Sequence, residues 1–170
     1  DSWIMAQGLS LDDSTPTILP SPDMRAEIAD FMHQLSRPVT IVNLFAADPA
    51  RRWSLDHANA TLNRLASQIG GSLVLNAGPD AGSYHDAMLA RWDGPDHVLF
   101  DSLRHNPSMA HDIALYHAAD GYIGVDSFTA NLAFNCNLPA TVLFAKAGDT
   151  LRYKPAVFPL YPDTGKALDS

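Results

Sequence analysis

Apolar, β-branched runs recur along the chain at residues 39–46 (VTIVNLFA), 72–78 (SLVLNAG), 97–100 (HVLF), 121–125 (GYIGV) and 140–145 (ATVLFA). Runs that are apolar on both alternating faces belong to parallel strands covered on both sides, not to half-solvated antiparallel ones. The segments between them read as helices, so strand and helix alternate at least four times with short connections. That order calls for an α/β fold, a Rossmann-like parallel sheet with helices on both faces, and excludes a helical bundle or a β-sandwich. In such sheets ligands bind beyond the carboxyl ends of the strands, where helices begin. The junctions after Ala46, Gly78 and Val125 are therefore the places where chemistry is expected.

The helix signals are local. Ser21 followed by Pro22 is an N-cap with Pro at the first helical position, and Met24, Ile28, Phe31 and Leu35 supply an apolar face before Pro38. Ser54 caps a helix whose apolar positions are Leu55, Ala58, Leu62, Leu65 and Ile69, with Gly70-Gly71 as its stop. Residues 84–92 read as a short helix. Asn106 and Pro107 open another that runs to about Ala119. A further helix starts at Ser127, and residues 156–160 (AVFPL) read as a last short strand. Residues 1–20 are irregular, a linker or strap containing TPTILPSP at 15–22, and residues 21–170 form the Rossmann-like domain.

A chain of 170 residues with 46% hydrophobic and 18% charged residues buries a sizeable core, as one domain or as half of a two-domain protein. Its formal charge of −8, carried almost wholly by Asp because Glu27 is the sole glutamate, argues against a duplex nucleic-acid binder. Cys136 is the single cysteine, so neither a disulfide framework nor a cysteine-based zinc site is expected, and its place within a helix reads as buried and inert. No run of 18 apolar residues and no basic-then-apolar leader is present, which reads as a cytoplasmic chain without a transmembrane segment.

Each junction carries groups with two readings. In NLFAADPARRW (43–53), Arg51 and Arg52 suit bidentate grip of a phosphate, or are a solvated pair beside the packing residue Trp53. In NAGPDAG (76–82), Gly78 shapes a turn and Asp80 suits ribose hydroxyls, or simply caps the turn. In YIGVDSFTANLAF (122–134), the Ser127 and Thr129 hydroxyls beside free helix N–H groups suit phosphate. Asp126 repels an anion but accepts from a sugar hydroxyl, so the two together suit a ligand carrying phosphate and sugar. Ordinary helix capping would use the same residues. Neither a GxGxxG nor a Walker sequence occurs. His105, His111 and His117 recur at six-residue spacing, which spreads them over different helix faces, and without HExxH they suggest no metal site. GVDSF is not the G-x-S-x-G elbow of serine hydrolases.

Taken together, residues 20–145 resemble the carboxyl-terminal, donor-binding domain of the ADP-heptose:lipopolysaccharide heptosyltransferases of glycosyltransferase family 9. The family's strand, small-residue loop and Lys-Arg-Trp is matched by FAADPARRW, with Arg51-Arg52-Trp53 in register, and its Gly-Pro turn by Gly78-Pro79. Its helix opening with Ser-Leu and closing with Ala-Asp is matched by Ser108-Met109 through Ala119-Asp120. Its most specific motif, IGxDSGPxHLAxALGxPTVALFG, aligns without a gap with IGVDSFTANLAFNCNLPATVLFA (123–145). Family glycines are replaced by Phe45, Phe128 and Asn137, and the family histidine by Asn131. Asn, like Gly, tolerates the left-handed conformation that ends a helix.

The resemblance implies one half of a GT-B glycosyltransferase, in which two Rossmann-like domains enclose the active site. It implies a nucleotide-diphosphate sugar donor such as ADP-heptose, transfer with inversion, no metal and no cofactor. The glycolipid acceptor of lipopolysaccharide or cell-envelope synthesis would be met through the other half, and the full-length protein would sit in the cytoplasm, peripheral at the inner membrane. The family's general base lies in the amino-terminal half, so no catalytic residue is expected here and this chain alone should be inactive. The residue roles are then Arg51, Arg52, Ser127 and Thr129 for donor phosphate, Asp126 and Asn131 for donor sugar, and Gly78 and Asp80 for the nucleoside. The alternative, favoured by Phe128 and Asn131, is a non-catalytic nucleotide- or sugar-binding module of the same fold.

Overall fold

A computed structural model describes residues 18–105 and 108–144 and the backbone of residues 157–160. Six strands form one parallel sheet: β1 (Val39–Asn43), β2 (Ser72–Leu75), β3 (Leu99–Asp101), β4 (Gly121–Val125), β5 (Ala140–Leu143) and β6 (Val157–Leu160). Their spatial order is β3-β2-β1-β4-β5-β6. The chain builds outward from β1 in one direction, then returns to place β4 on the other side of β1. The order reverses between β1 and β4, and at such a switch point the connections leave in opposite directions and open a crevice.

Helices cover both faces. On one lie α1 (Pro22–His33), α4 (Met109–Ala118) and α5 (Phe128–Asn135), burying Ile28, Phe31, Leu115, Tyr116, Leu132 and Phe134 against the sheet. On the other lie α2 (Leu55–Ile69) and α3 (Gly82–Leu89), burying Ala58, Leu62, Tyr84 and Met88. β1 and β2 are buried at every position, as their uninterrupted apolar sequence requires.

The helix ends follow their sequence signals. Ser21 Oγ accepts from the Met24 N–H with Pro22 at the first helical position, and Ser54 Oγ accepts from the His57 N–H. Gly70 ends α2 in the left-handed region at φ 71°, where a side chain would be strained. Gly71 answers a different need. A Cβ there would collide with the backbone of Pro38, so the start of β2 could not lie against the start of β1. Asn137 also adopts a left-handed φ, 55°, after α5, as expected for a residue standing where the family has glycine.

Some boundaries move. The third strand begins at Leu99, not at 97, and the helix expected over 84–92 is Gly82–Leu89, entered directly from a 3-10 turn at Pro79–Ala81 without a side-chain cap. α4 is capped by Ser108, whose Oγ accepts from the His111 N–H, while Asn106 and Pro107 lie outside the described residues. Cys136 is buried, as expected, but at the C-cap of α5. Residues 1–17 of the expected strap lie outside the described residues. Of its remainder, Ile18 donates its N–H to the Asn135 carbonyl at the end of α5 (2.7 Å).

Candidate functional site

The switch point brings the first and third junctions together. Asn43 ends β1, and its neighbour in register on β4 is Gly124, two residues before Asp126. Asn43 is 2% exposed and both ends of its amide are engaged. Oδ1 accepts from the Phe45 N–H at 2.8 Å, which shapes the loop leaving β1. Nδ2 donates to Ser127 Oγ at 3.0 Å and to Thr129 Oγ1 at 2.6 Å, which fixes the start of α5. Thr129 Oγ1 also meets the Tyr122 hydroxyl at 3.0 Å and Ser127 Oγ at 2.9 Å. Burial pushes the Tyr122 phenol up to about 12 despite these hydrogen bonds, so it stays a neutral member of the cluster.

This cluster separates capping from ligand binding. Ser127 occupies the N-cap position of α5 but makes no side-chain cap, because its hydroxyl is drawn sideways to Asn43 and Thr129. The first-turn N–H groups of α5 therefore keep no partner from the cap residue, at the positive end of the helix, an arrangement that favours an anion. Thr129, expected at the phosphate, is 2% exposed with its hydroxyl committed to the interior; it anchors the helix rather than facing a ligand.

The arginines also divide. Arg51 projects from the 3-10 turn Pro49–Arg51 toward the end of β4, donating to the Asp126 carbonyl at 2.9 Å and lying 3.4 Å from the Asp126 carboxylate. Asp48, which caps that turn, lies 3.5 Å from the same guanidinium. Arg52, expected as a second phosphate ligand, points back into its own loop. Its Nε donates to the Ala46 carbonyl at 2.9 Å, another donor reaches Ala47, and the guanidinium sits 4.3 Å above the Phe45 ring. These bonds tie Arg52 to its own loop, and of the two arginines it is Arg51 whose guanidinium reaches Asp126 at the end of β4. Trp53 packs on the α2–α3 face as expected, its carbonyl accepting from the Tyr84 hydroxyl at 2.9 Å.

Asn131 is exposed on α5 and donates to the Ser127 carbonyl at 3.1 Å. Phe128, the first residue of α5, is 55% exposed beside Ser127. Gly78 and Asp80 lie at the neighbouring β2 edge, in the turn entering α3, with Asp80 exposed. At the end of β3, Asp101 Oδ1 lies 2.9 Å from His85 Nδ1 and accepts from the Leu103 N–H, a buried pair that holds the turn toward α4. Asn43 and Asn76 are absent from the sequence-level candidates. Their signal was available, since each is an amide side chain set within a mostly apolar run, at or just beyond the end of its strand.

No protein-family model matches the chain, and no curated protein matches it significantly. Solved structures do match in fold. E. coli ADP-heptose lipopolysaccharide heptosyltransferase II is 17% identical with a TM-score of 0.74, covering 91% of this chain and 48% of that one. A glycosyl transferase family 9 protein from Veillonella parvula is 15% identical with a TM-score of 0.75, covering 93% and 46%. E. coli heptosyltransferase WaaC with ADP-2-deoxy-2-fluoro heptose is 13% identical with a TM-score of 0.63, covering 93% and 46%. The chain thus spans slightly less than half the length of each of these three structures. It shares its Rossmann-like α/β fold with the heptosyltransferases of glycosyltransferase family 9, over about half of their length.

Proposed function

We propose that this chain is the nucleotide-sugar-binding, carboxyl-terminal half of a GT-B glycosyltransferase of the heptosyltransferase kind, acting in lipopolysaccharide or cell-envelope glycan synthesis. The observation that carries the reading is the convergence at the β1–β4 switch point of Arg51, Asp126 and a helix start whose cap hydroxyl is held aside. Matched structures hold ADP or ADP-2-deoxy-2-fluoro heptose, a ligand class that combines diphosphate and sugar. In this reading Arg51, Ser127 and the first-turn N–H groups of α5 meet the diphosphate, Asp126 and Asn131 the transferred sugar, and Gly78 and Asp80 the nucleoside. Positioning and charge stabilisation are then this chain's share of the chemistry. A general base and the glycolipid acceptor site belong to the other half, and the protein works in the cytoplasm at the membrane surface. Among the described residues no helix is long and apolar enough to cross a membrane.

The test is calorimetric titration with ADP, UDP, GDP and CDP and with an ADP-sugar. The expected result is binding of a nucleoside diphosphate without sugar transfer by this chain alone. Absence of binding by every nucleotide would reject the reading. A second reading, a binding module without a transferase partner, is favoured by exposed Phe128, where the family motif has glycine. Sugar transfer on adding a partner half would decide against it.

A further inference from the structure

The carboxylate of Asp112 has no part in the site described above, yet one of its oxygens is held by a fully buried side chain. Asp112 lies in the first turn of α4, on the same face of the sheet as α5 and at the same carboxyl edge. Fully buried Asn76, just beyond the end of β2, donates through Nδ2 to Asp112 Oδ1 at 2.8 Å and to Ser102 Oγ at 2.8 Å. The Asn76 Oδ1 accepts from the Tyr116 hydroxyl at 2.9 Å. One Asp112 oxygen is thus pinned by a residue that is itself pinned. Among the described residues the other oxygen has no hydrogen-bond partner, and no cation pairs with the group.

Burial raises the Asp112 pKa, with the Asn76 hydrogen bond opposing the shift, so the folded chain holds this charge at a cost. Its place in the first turn of α4 offsets part of that cost, but an amide of the same shape would satisfy Asn76 equally well. Such groups collect where a ligand supplies the missing partner. The location fits. The Tyr116 ring packs 6.0 Å from that of Tyr122, whose hydroxyl meets Thr129 at the start of α5, so the Asp112 cluster and that helix start are neighbours joined through two packed rings.

We propose that Asp112 is a ligand-binding residue whose open oxygen accepts a hydrogen bond from a hydroxyl or amino group of the nucleoside part of the ligand. The assignment rests on the nucleotide-binding reading above and adds to it a contact on the β2 side of the crevice. Asp80, exposed on its turn, lacks the fixed geometry that Asn76 gives Asp112.

The test compares wild type and Asp112→Asn by calorimetry against pyrophosphate, ADP, 2′,3′-dideoxy-ADP and inosine diphosphate. The Asn variant keeps an oxygen for Asn76, removes the charge and turns the open atom from acceptor to donor. Its affinity for ADP should fall about tenfold, the size of one lost charge-assisted hydrogen bond, with pyrophosphate changed less than about twofold. Loss of the variant's defect with dideoxy-ADP places the carboxylate on the ribose; its loss with inosine diphosphate places it on the base amino group. Equal ADP affinity in the two proteins overturns the proposal, as does an equal loss for pyrophosphate, which marks a purely structural role. If wild type binds neither pyrophosphate nor ADP, the nucleotide-binding reading fails first and this assignment falls with it. Unfolding midpoints of both proteins control for folding, and the variant's should be no lower.

Discussion

Arg51 donates to the main-chain oxygen of Asp126 at 2.9 Å, joining the loop after β1 to the end of β4 across 75 residues of sequence. Its links to the Asp126 and Asp48 carboxylates, at 3.4 and 3.5 Å, are longer and partly exposed, and such pairs contribute little stability. The guanidinium is therefore held in place but remains available to an anion. Arg51→Ala should leave the unfolding midpoint nearly unchanged while weakening a nucleoside diphosphate and its sugar ester alike, by about 1.5–3 kcal/mol. Calorimetry on both ligands checks this, and unaltered affinities would remove Arg51 from the site.

Asp126→Asn separates the sugar from the phosphates. The main-chain bond from Arg51 survives this substitution, and one carboxylate near the anion disappears. Affinity for bare nucleoside diphosphate should hold or rise slightly. That for the nucleotide sugar should fall by about 1–2 kcal/mol, because only the sugar offers a hydroxyl to this carboxylate. An equal loss for both ligands would mean that Asp126 organises the loop instead.

Asn43→Leu should be the most damaging of these changes to stability. It removes the donor that Ser127 and Thr129 share and strands the buried Phe45 N–H, at a cost on the order of 2–4 kcal/mol. Denaturant unfolding measures it. The freed Ser127 hydroxyl is then expected to cap its own helix, so amide signals of the first turn of α5 should shift and nucleoside diphosphate affinity should drop. A loss below about 1 kcal/mol would show that the cluster is not the anchor described here.

His111 gives the chain a pH dependence of definite sign. Its imidazole pKa lies below the ordinary value of 6.5 because burial and then His105 oppose the proton, with Glu27 acting the other way, and its Nδ1 has no partner among the described residues. The Phe31 ring packs near both histidines, its centroid 4.1 Å from that of His105 and 6.1 Å from that of His111. The unfolded chain takes up the proton first. Stability from the neutral ring is therefore present above the unfolded pKa and is lost as pH falls through that value toward the lower folded one. His111→Gln should flatten the fall in urea midpoint between about pH 7 and about pH 5 relative to wild type. Parallel curves for the two proteins would contradict it.

The local sequence determined the kinds of element and many of their ends. Apolar β-branched runs dictate buried parallel strands, and Ser21, Ser54 and Gly70 act through hydrogen bonds or backbone angles within a few residues of themselves. Such signals need no partner from elsewhere in the chain, so they survive in a linear reading. Ser127 shows where that reading stops. Its place before a helix is a capping signal, yet Asn43, 84 residues away, takes its hydroxyl. Only tertiary structure set β4 beside β1, and that pairing turned one arginine of two toward Asp126, drew Thr129 inward and seated Asp112 against Asn76. Strand pairing is a long-range choice made by packing of the whole sheet, and the direction in which a side chain spends its donors follows from it.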